Sequence, residues 1–340
     1  FLYYSHDRIS PEFDPNNPDV KLKDEANSYT NRHQRDSLVN AAIEVDTRRS
    51  INFSNVRKMR TNPALKPHFW DIENFSLSYS FNENTQRNYL IQNYFAKTYK
   101  GIIDYNFQAN NKPFQPFKKM FKSKWLVFLH DLNLSPLPSA YSFRMDIDRF
   151  TAANTLRANQ GNGFFQAPTA YNRTFYITRN YGLHWDLTKS MHIDFQATNY
   201  STVDEPSGAS TALTRDSTRR NFLRMGRTTD YTQTASVSYM VPINKLRYLD
   251  FITLGLKYSA FYEWRSASLA VLKSDTAKLG NSIQNQRQFE MDPSFDLTIL
   301  YRKFKWLSRI TAPAIIIHKP SDTLGKHIRY VNPFLRAFGN

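Results

Sequence analysis

The chain has 340 residues, no cysteine and a formal net charge of +16, with 20 Tyr and 26 Phe against only 10 Gly. The lack of cysteine removes a disulfide framework, a thiolate metal site and a Cys nucleophile. No apolar run reaches the roughly 20 residues of a membrane helix, but a mean hydropathy of −0.59 is compatible with membrane strands, which hide their apolar residues at every second position.

Phe1 to about residue 36 is rich in Asp, Asn and Pro and, apart from the apolar start Phe1–Tyr4, reads as loop. The chain begins at Phe1 with no initiator Met, so it is expected to be a mature chain or an excerpt from a longer one. A strand follows between about Leu38 and Val56, then a connection through Arg57–Arg60 to Trp70.

The alternation then becomes clear. Phe75, Leu77, Tyr79 and Phe81 alternate with Ser76, Ser78 and Ser80, and after a polar loop over 82–98, Tyr99, Ile103, Tyr105 and Phe107 alternate with Lys100, Asp104, Asn106 and Gln108. Residues 112–138 show near-helical spacing (Phe117, Met120, Phe121, Trp125, Phe128), so a short amphipathic helix is expected there, ended by Ser135-Pro-Leu-Pro-Ser139. Tyr141, Phe143, Met145 and Ile147 then alternate with Ser142, Arg144, Asp146 and Asp148. The loop over 150–170 contains Gly161-Asn-Gly163, a weak phosphate-loop match with no Lys-Ser/Thr after it, best read as a loop tip.

The longest pattern spans Tyr171 to Tyr200. Phe175, Ile177, Tyr181, Leu183, Trp185 and Leu187 occupy one side of a first arm. Met191, Ile193, Phe195 and Ala197 occupy the same side of a second, with His192, Asp194 and Gln196 opposite. A three-residue turn at Thr188–Ser190 pairs Leu187 with Met191, Asp186 with His192, Trp185 with Ile193 and His184 with Asp194. A two-residue turn would mix the faces. After a polar loop over 201–228, Ala235, Val237 and Tyr239 alternate with Thr234, Ser236 and Ser238. Leu254, Leu256, Tyr258, Ala260, Tyr262 and Trp264 share a side of the next strand. A further polar loop runs to about Arg287, and Phe289, Met291, Phe295, Leu297 and Ile299 alternate with Glu290, Asp292, Ser294 and Asp296, where Pro293 implies a bulge or a shortened strand.

The pattern predicts an all-β, antiparallel transmembrane barrel fold rather than a soluble sandwich, with about eight or nine strands over 37–310 and a C-terminal stretch, 311–340, where the alternation has decayed. Candidate strands of roughly 10 to 15 residues exceed those of soluble sheets. Connections alternate between one end with long polar loops and another with shorter or helical ones, as in outer-membrane barrels. Basic clusters at Arg57–Arg60, Lys118–Lys124, Lys245–Arg247 and Arg302–Arg309 fall at the second end, where anionic head groups favour them. Arg215, Arg219, Arg220, Arg224 and Arg227 fall at the first, where lipopolysaccharide phosphates or plain solvation account for them.

Two face sets follow. Expected to line an aqueous pore are Ser76, Ser78, Ser80, Arg144, Asp146, Asp148, His184, Asp186, His192, Asp194, Gln196, Thr234, Ser236, Ser238, Glu290, Asp292 and Asp296. Expected to face lipid are Phe75, Leu77, Tyr79, Phe143, Met145, Ile147, Leu183, Trp185, Ile193, Phe195, Val237, Tyr239, Leu254, Leu256, Tyr258, Leu297 and Ile299.

Chemical motifs are sparse. His184, Asp186, His192 and Asp194 offer ligands of the kinds that hold divalent metals, but with no dedicated second shell in the pattern, cross-strand His–Asp pairs on a wet wall are the expected reading. Asp146 and Asp148, with Arg144 beside them, read as polar lining rather than a hydrolytic pair. No enzyme motif stands out, no cofactor is implied, and the positive charge comes without a helix-turn-helix, zinc spacing or ribonucleoprotein motif, so no nucleic-acid partner is expected.

Several runs resemble the SprA/Sov family, the giant outer-membrane translocon of type IX protein secretion and gliding motility. They are Ser50–Lys58, Asp71–Phe81, Ser135–Ser139 before Phe143-Arg144, Tyr181–Thr188, Pro242–Leu246 with Tyr248–Asp250, and Gly280–Asn285. Together they cover roughly residues 50 to 305. The resemblance implies an internal piece of a much longer cell-surface protein, integral to the outer membrane of a diderm bacterium. It also implies passage of folded, secreted cargo proteins. The implied partners are a porin-like outer-membrane shuttle protein, a periplasmic plug protein, outer-membrane lipids and lipopolysaccharide, and the remaining strands of the same barrel. The runs are architectural and carry over no functional residue. The alternatives are a smaller outer-membrane porin or nutrient transporter and a soluble basic β-protein that binds polyanions.

Overall fold

The computed structural model describes residues 1–61, 67–109, 113–116, 133–157, 168–246, 248–268 and 280–304. The strands among them are β1 Leu2–Ile9, β2 Phe13–Asp14, β3 Asn17–Lys21, β4 Glu44–Val56, β5 Phe75–Arg87, β6 Ile91–Gln108, β7 Ala140–Leu156, β8 Ala170–Thr188, β9 Met191–Thr202, β10 Arg227–Val241, β11 Ile252–Arg265 and β12 Ser282–Phe295. The helices are α1 Leu22–Ser28, α2 Arg32–Ala42, α3 Ala212–Leu223 and α4 Leu297–Lys303. No described helix is long and apolar enough to cross a membrane.

All strands but two join one ten-stranded antiparallel sheet, in the order β1-β4-β5-β6-β7-β8-β9-β10-β11-β12. From β4 onward each strand pairs with its successor in sequence, an up-and-down meander. β1 and β12 end the order, and among the described residues no ladder joins them, so the sheet is open. β2 and β3 form a separate small hairpin.

The strands are long because little in the sequence stops them. β6, β7 and β8 run 18, 17 and 19 residues, against about 5–6 in ordinary sheets. Their registers stay in phase, so the period-two pattern of each strand becomes a row pattern across the sheet. One row reads Phe75–Tyr105–Phe143–Tyr181–Ala197. The row Ser76–Asp104–Arg144–Asn180–Thr198 lies beside it on the opposite face. A slip of one residue in any strand would exchange its two faces.

The central hairpin keeps its faces by a different route from the expected turn. His184 stands opposite Asp194, Trp185 opposite Ile193 and Asp186 opposite His192, as the pattern requires. Beyond these the register shifts, and Thr188, not Leu187, faces Met191. The turn is thus the two residues Lys189-Ser190, and a bulge at Leu187 restores the parity that such a short turn would otherwise break.

Buried apolar residues are few. Phe175, Ile177 and Val203 form a small core, with Met145, Ile147 and Phe222 packed against it. It lies at the end of the sheet where the 203–226 connection folds back, and the Phe222 ring stacks on Phe175 with centroids 5.5 Å apart.

Several expectations need correction. The first 36 residues are not mainly loop: β1 pairs with β4 along its whole length, and α1 and much of α2 follow. Leu38 lies in α2, and the strand expected from there begins at Glu44. The connection expected over 82–98 shrinks to a tight turn, because β5 and β6 continue through polar residues. Asn88 closes the turn, its Oδ1 accepting from the N–H groups of Leu90 and Ile91 at 3.0 and 2.8 Å. Similarly, β12 begins at Ser282 rather than after Arg287 and keeps an unbroken register through Pro293. β12 is the last strand in the sheet order, a place where a missing N–H is tolerated. α3 arises within the expected 201–228 loop, started by a capping box between Thr211 and Thr214. The amphipathic helix expected over 112–138 lies mostly outside the described residues, as do the Gly161-Asn-Gly163 tip, Lys118–Lys124, Arg247, Lys305–Arg309 and residues 311–340.

Candidate functional site

The two faces of the sheet are its most distinctive feature. On the polar face, hydrogen bonds and ion pairs knit neighbouring strands together. Arg144 contacts Asp146 at 2.8 Å and reaches Asp104 on β6 at 3.4 Å. Lys100 lies 3.5 Å from Asp148, and Lys257 lies 3.8 Å from Glu290. Ser76, Ser78 and Ser80 share this face with Asp104, Ile102 and Lys100 of β6. Gln196 is opposite Thr234, Asp194 opposite Ser236, and His192 opposite Ser238. Asp292 is opposite Gly255. Gly182, between Ser142 and Gln196, has a packing role, since a Cβ there would come within 2.3 Å of Ser142 Oγ.

Asp296 does not belong to this set. It caps α4, its Oδ1 accepting from the N–H groups of Thr298 and Ile299 at 2.9 and 3.2 Å. Leu297 and Ile299 accordingly lie in that helix, not in a strand. Their i, i+2 spacing imitates a strand because the alternation happens to continue through the cap.

The other face carries Phe75, Leu77, Tyr79, Phe143, Leu183, Trp185, Ile193, Phe195, Val237, Tyr239, Leu254, Leu256 and Tyr258, on six of the strands from β5 to β11. Much of it is bare. Leu77 is 50% exposed, Phe75 43%, Phe289 63% and Met291 56%, whereas the small polar residues Ser76, Ser78 and Ser80 between the β5 apolar positions are more buried than these. No second sheet covers this face among the described residues. The end beside the 203–226 connection differs: Met145 and Ile147, like Phe222, pack against the Phe175–Ile177–Val203 core. Arginines on the same face find partners in that connection. Arg149 pairs with the buried Glu205 at 2.7 Å, and Arg173 donates to the carbonyls of Pro206 and Gly208 at 3.0 and 2.6 Å.

At the opposite end the polar face holds its densest cluster. His184 Nδ1 lies 2.6 Å from Asp194 Oδ1. Asp186 Oδ1 lies between the two imidazoles, 3.1 Å from His184 Nε2 and 2.5 Å from His192 Nδ1. The rings are nearly parallel, at 8°, with centroids 6.2 Å apart.

A segment with no signal in the alternation fixes this cluster. Asn133–Ser139 runs beside the end of β8. Ser139 N–H donates to the His184 carbonyl at 2.8 Å, and Ser135 N–H donates to the Leu187 carbonyl, freed by the bulge, at 2.9 Å. Asp186 N–H donates to Ser139 Oγ at 3.2 Å, Trp185 Nε1–H to the Ser135 carbonyl at 2.7 Å, and Lys189 N–H to Asn133 Oδ1 at 2.7 Å. Pro136 and Pro138 were the available clue, since the residue before a proline is held extended.

No model of a known protein family matches the chain, and no curated protein sequence matches it.

Proposed function

We propose that this chain forms part of the wall of an outer-membrane β-barrel, its bare apolar face in lipid and its polar face lining an aqueous passage. The observation that carries the reading is an apolar face in register over strands of membrane-spanning length, which no second layer covers among the described residues between Phe69 at one end and the 203–226 connection at the other. A water-soluble sheet buries such a face against a second layer. An extensive bare patch marks a membrane or partner surface. A tilted membrane strand needs about 9–11 residues, which β4 to β12 provide. The polar face offers hydrated, mixed-charge chemistry with no continuous apolar surface to retain a passing protein.

Within that reading we assign the segment to a translocon wall of the type IX secretion class, on the resemblance of the runs over residues 50–305. The function is then passage of folded cargo rather than reaction. The partners are that cargo, a shuttle protein, a plug and the remaining strands of the barrel. Immunoblotting of fractionated cells with an antibody to this segment tests the assignment. A band in outer membranes at many times the mass of these 340 residues supports it. An outer-membrane band near the mass of the segment favours a small porin or transporter, to which ten successive strands also lend themselves. A soluble band overturns the membrane reading.

A further inference from the structure

The geometry points to a transition-metal site on the polar face, formed by His184 Nε2, His192 Nδ1 and Asp186 Oδ1. The three residues each offer a ligand atom within 4.8 Å of the others, both imidazole nitrogens contact Asp186 Oδ1, and the ligand chemistry suits a dication such as Zn²⁺. Two tetrahedral ligands at about 2.0–2.1 Å from one zinc stand about 3.3 Å apart. The Asp186–His184 spacing of 3.1 Å is near that value. The shorter Asp186–His192 contact, 2.5 Å, needs only a small opening. The near-parallel rings direct both nitrogens toward the same carboxylate oxygen. Solvent supplies the fourth position, since all three side chains are partly exposed.

Two further features separate this arrangement from a chance His–Asp ladder. Asp194 contacts the other nitrogen of His184, Nδ1, at 2.6 Å. With Nε2 on a metal, Nδ1–H donates to that carboxylate, a pairing that metal-binding histidines almost always make. The backbone that carries the ligands is also pinned from the side, by Ser139 on the His184 carbonyl and the Asp186 N–H. Ligands on a clamped hairpin lose little freedom on binding. The site does not depend on whether the wall faces a pore, because its three ligands all lie on the β8–β9 hairpin.

The test is Zn²⁺ titration by calorimetry of the purified full chain, tag-free and in detergent, alongside Co²⁺ absorption spectroscopy. One ion per chain is expected, with a Co²⁺ spectrum of low-coordinate nitrogen and oxygen ligation. H184A and H192A should each weaken binding at least about tenfold, and D194N about 10–100-fold through loss of the outer partner. H6A and H68A, at exposed histidines elsewhere, should leave it unchanged. The proposal is overturned if the wild-type chain gives only the hydrated Co²⁺ spectrum, an outcome that needs no variant to fold. It is equally overturned if Zn²⁺ uptake persists in the folded H184A/H192A double variant.

Discussion

Trp185 donates its indole N–H to the carbonyl oxygen of Ser135, 2.7 Å away and 50 residues earlier in the chain. The side chain that makes this bond belongs to the apolar face, yet it fastens the segment that positions His184 and Asp186 on the polar one. Trp185→Phe keeps much of the ring and removes the donor. It should cost about 1 kcal/mol, the worth of one net hydrogen bond. The readout is urea-induced unfolding, followed by the loss of protease protection around residues 133–139.

The two faces should respond oppositely to charge. Leu77→Arg places a cation on the bare apolar face, where a lipid environment penalises it by about 2–4 kcal/mol near the midplane. Ser76→Arg, on the polar face, should stay within about 0.5 kcal/mol of the parent. Folding yield into lipid vesicles compares the two directly. Equal tolerance of both would argue against lipid on the Leu77 side.

Gly182→Ala should destabilise by no more than about 1 kcal/mol, because the added methyl meets Ser142 Oγ at 2.3 Å and that hydroxyl must rotate away. The next nearest atom, Ser142 Cβ, lies 3.7 Å away, an ordinary contact. The double variant Ser142→Ala/Gly182→Ala should therefore recover most of the loss. Equilibrium unfolding of the two single variants and the double variant gives the coupling.

The 203–226 connection is held to the sheet by Phe222 on Phe175 and by Glu205 on Arg149. Phe222→Ala should release it at a cost of about 1–3 kcal/mol. Limited proteolysis should then cut within 203–226 sooner than in the parent, while the strands remain protected.

The alternation made much of this sheet legible. Phe75 to Phe81 and Tyr141 to Ile147 differ so sharply at odd and even positions that face and register follow together, and His184 does stand opposite Asp194. Where both faces are polar the pattern falls silent although the backbone ladder continues, which hid the end of β5 and the first half of β12, whereas the start of β6 was hidden because Tyr94 and Phe95 place an aromatic on each face. At Asp296 the opposite happened, since the alternation outlasts the strand and a helix cap ends it. The docking of Asn133–Ser139 beside β8 left no trace in the alternation because the segment acts mainly through backbone groups, which every residue carries. The role of Asp194 as outer partner to His184 needed the ring orientation, which spacing alone does not supply.

The absence of native cysteine allows the two-face assignment to be read residue by residue. Single cysteines placed in turn at positions 75 to 80, in a background otherwise free of cysteine, can be labelled in outer membranes with a water-soluble maleimide. The barrel-wall reading predicts labelling at 76, 78 and 80 and protection at 75, 77 and 79, with fluorophores at the protected positions quenched by brominated lipid. Uniform labelling at all six positions, or labelling confined to 75, 77 and 79, would contradict it.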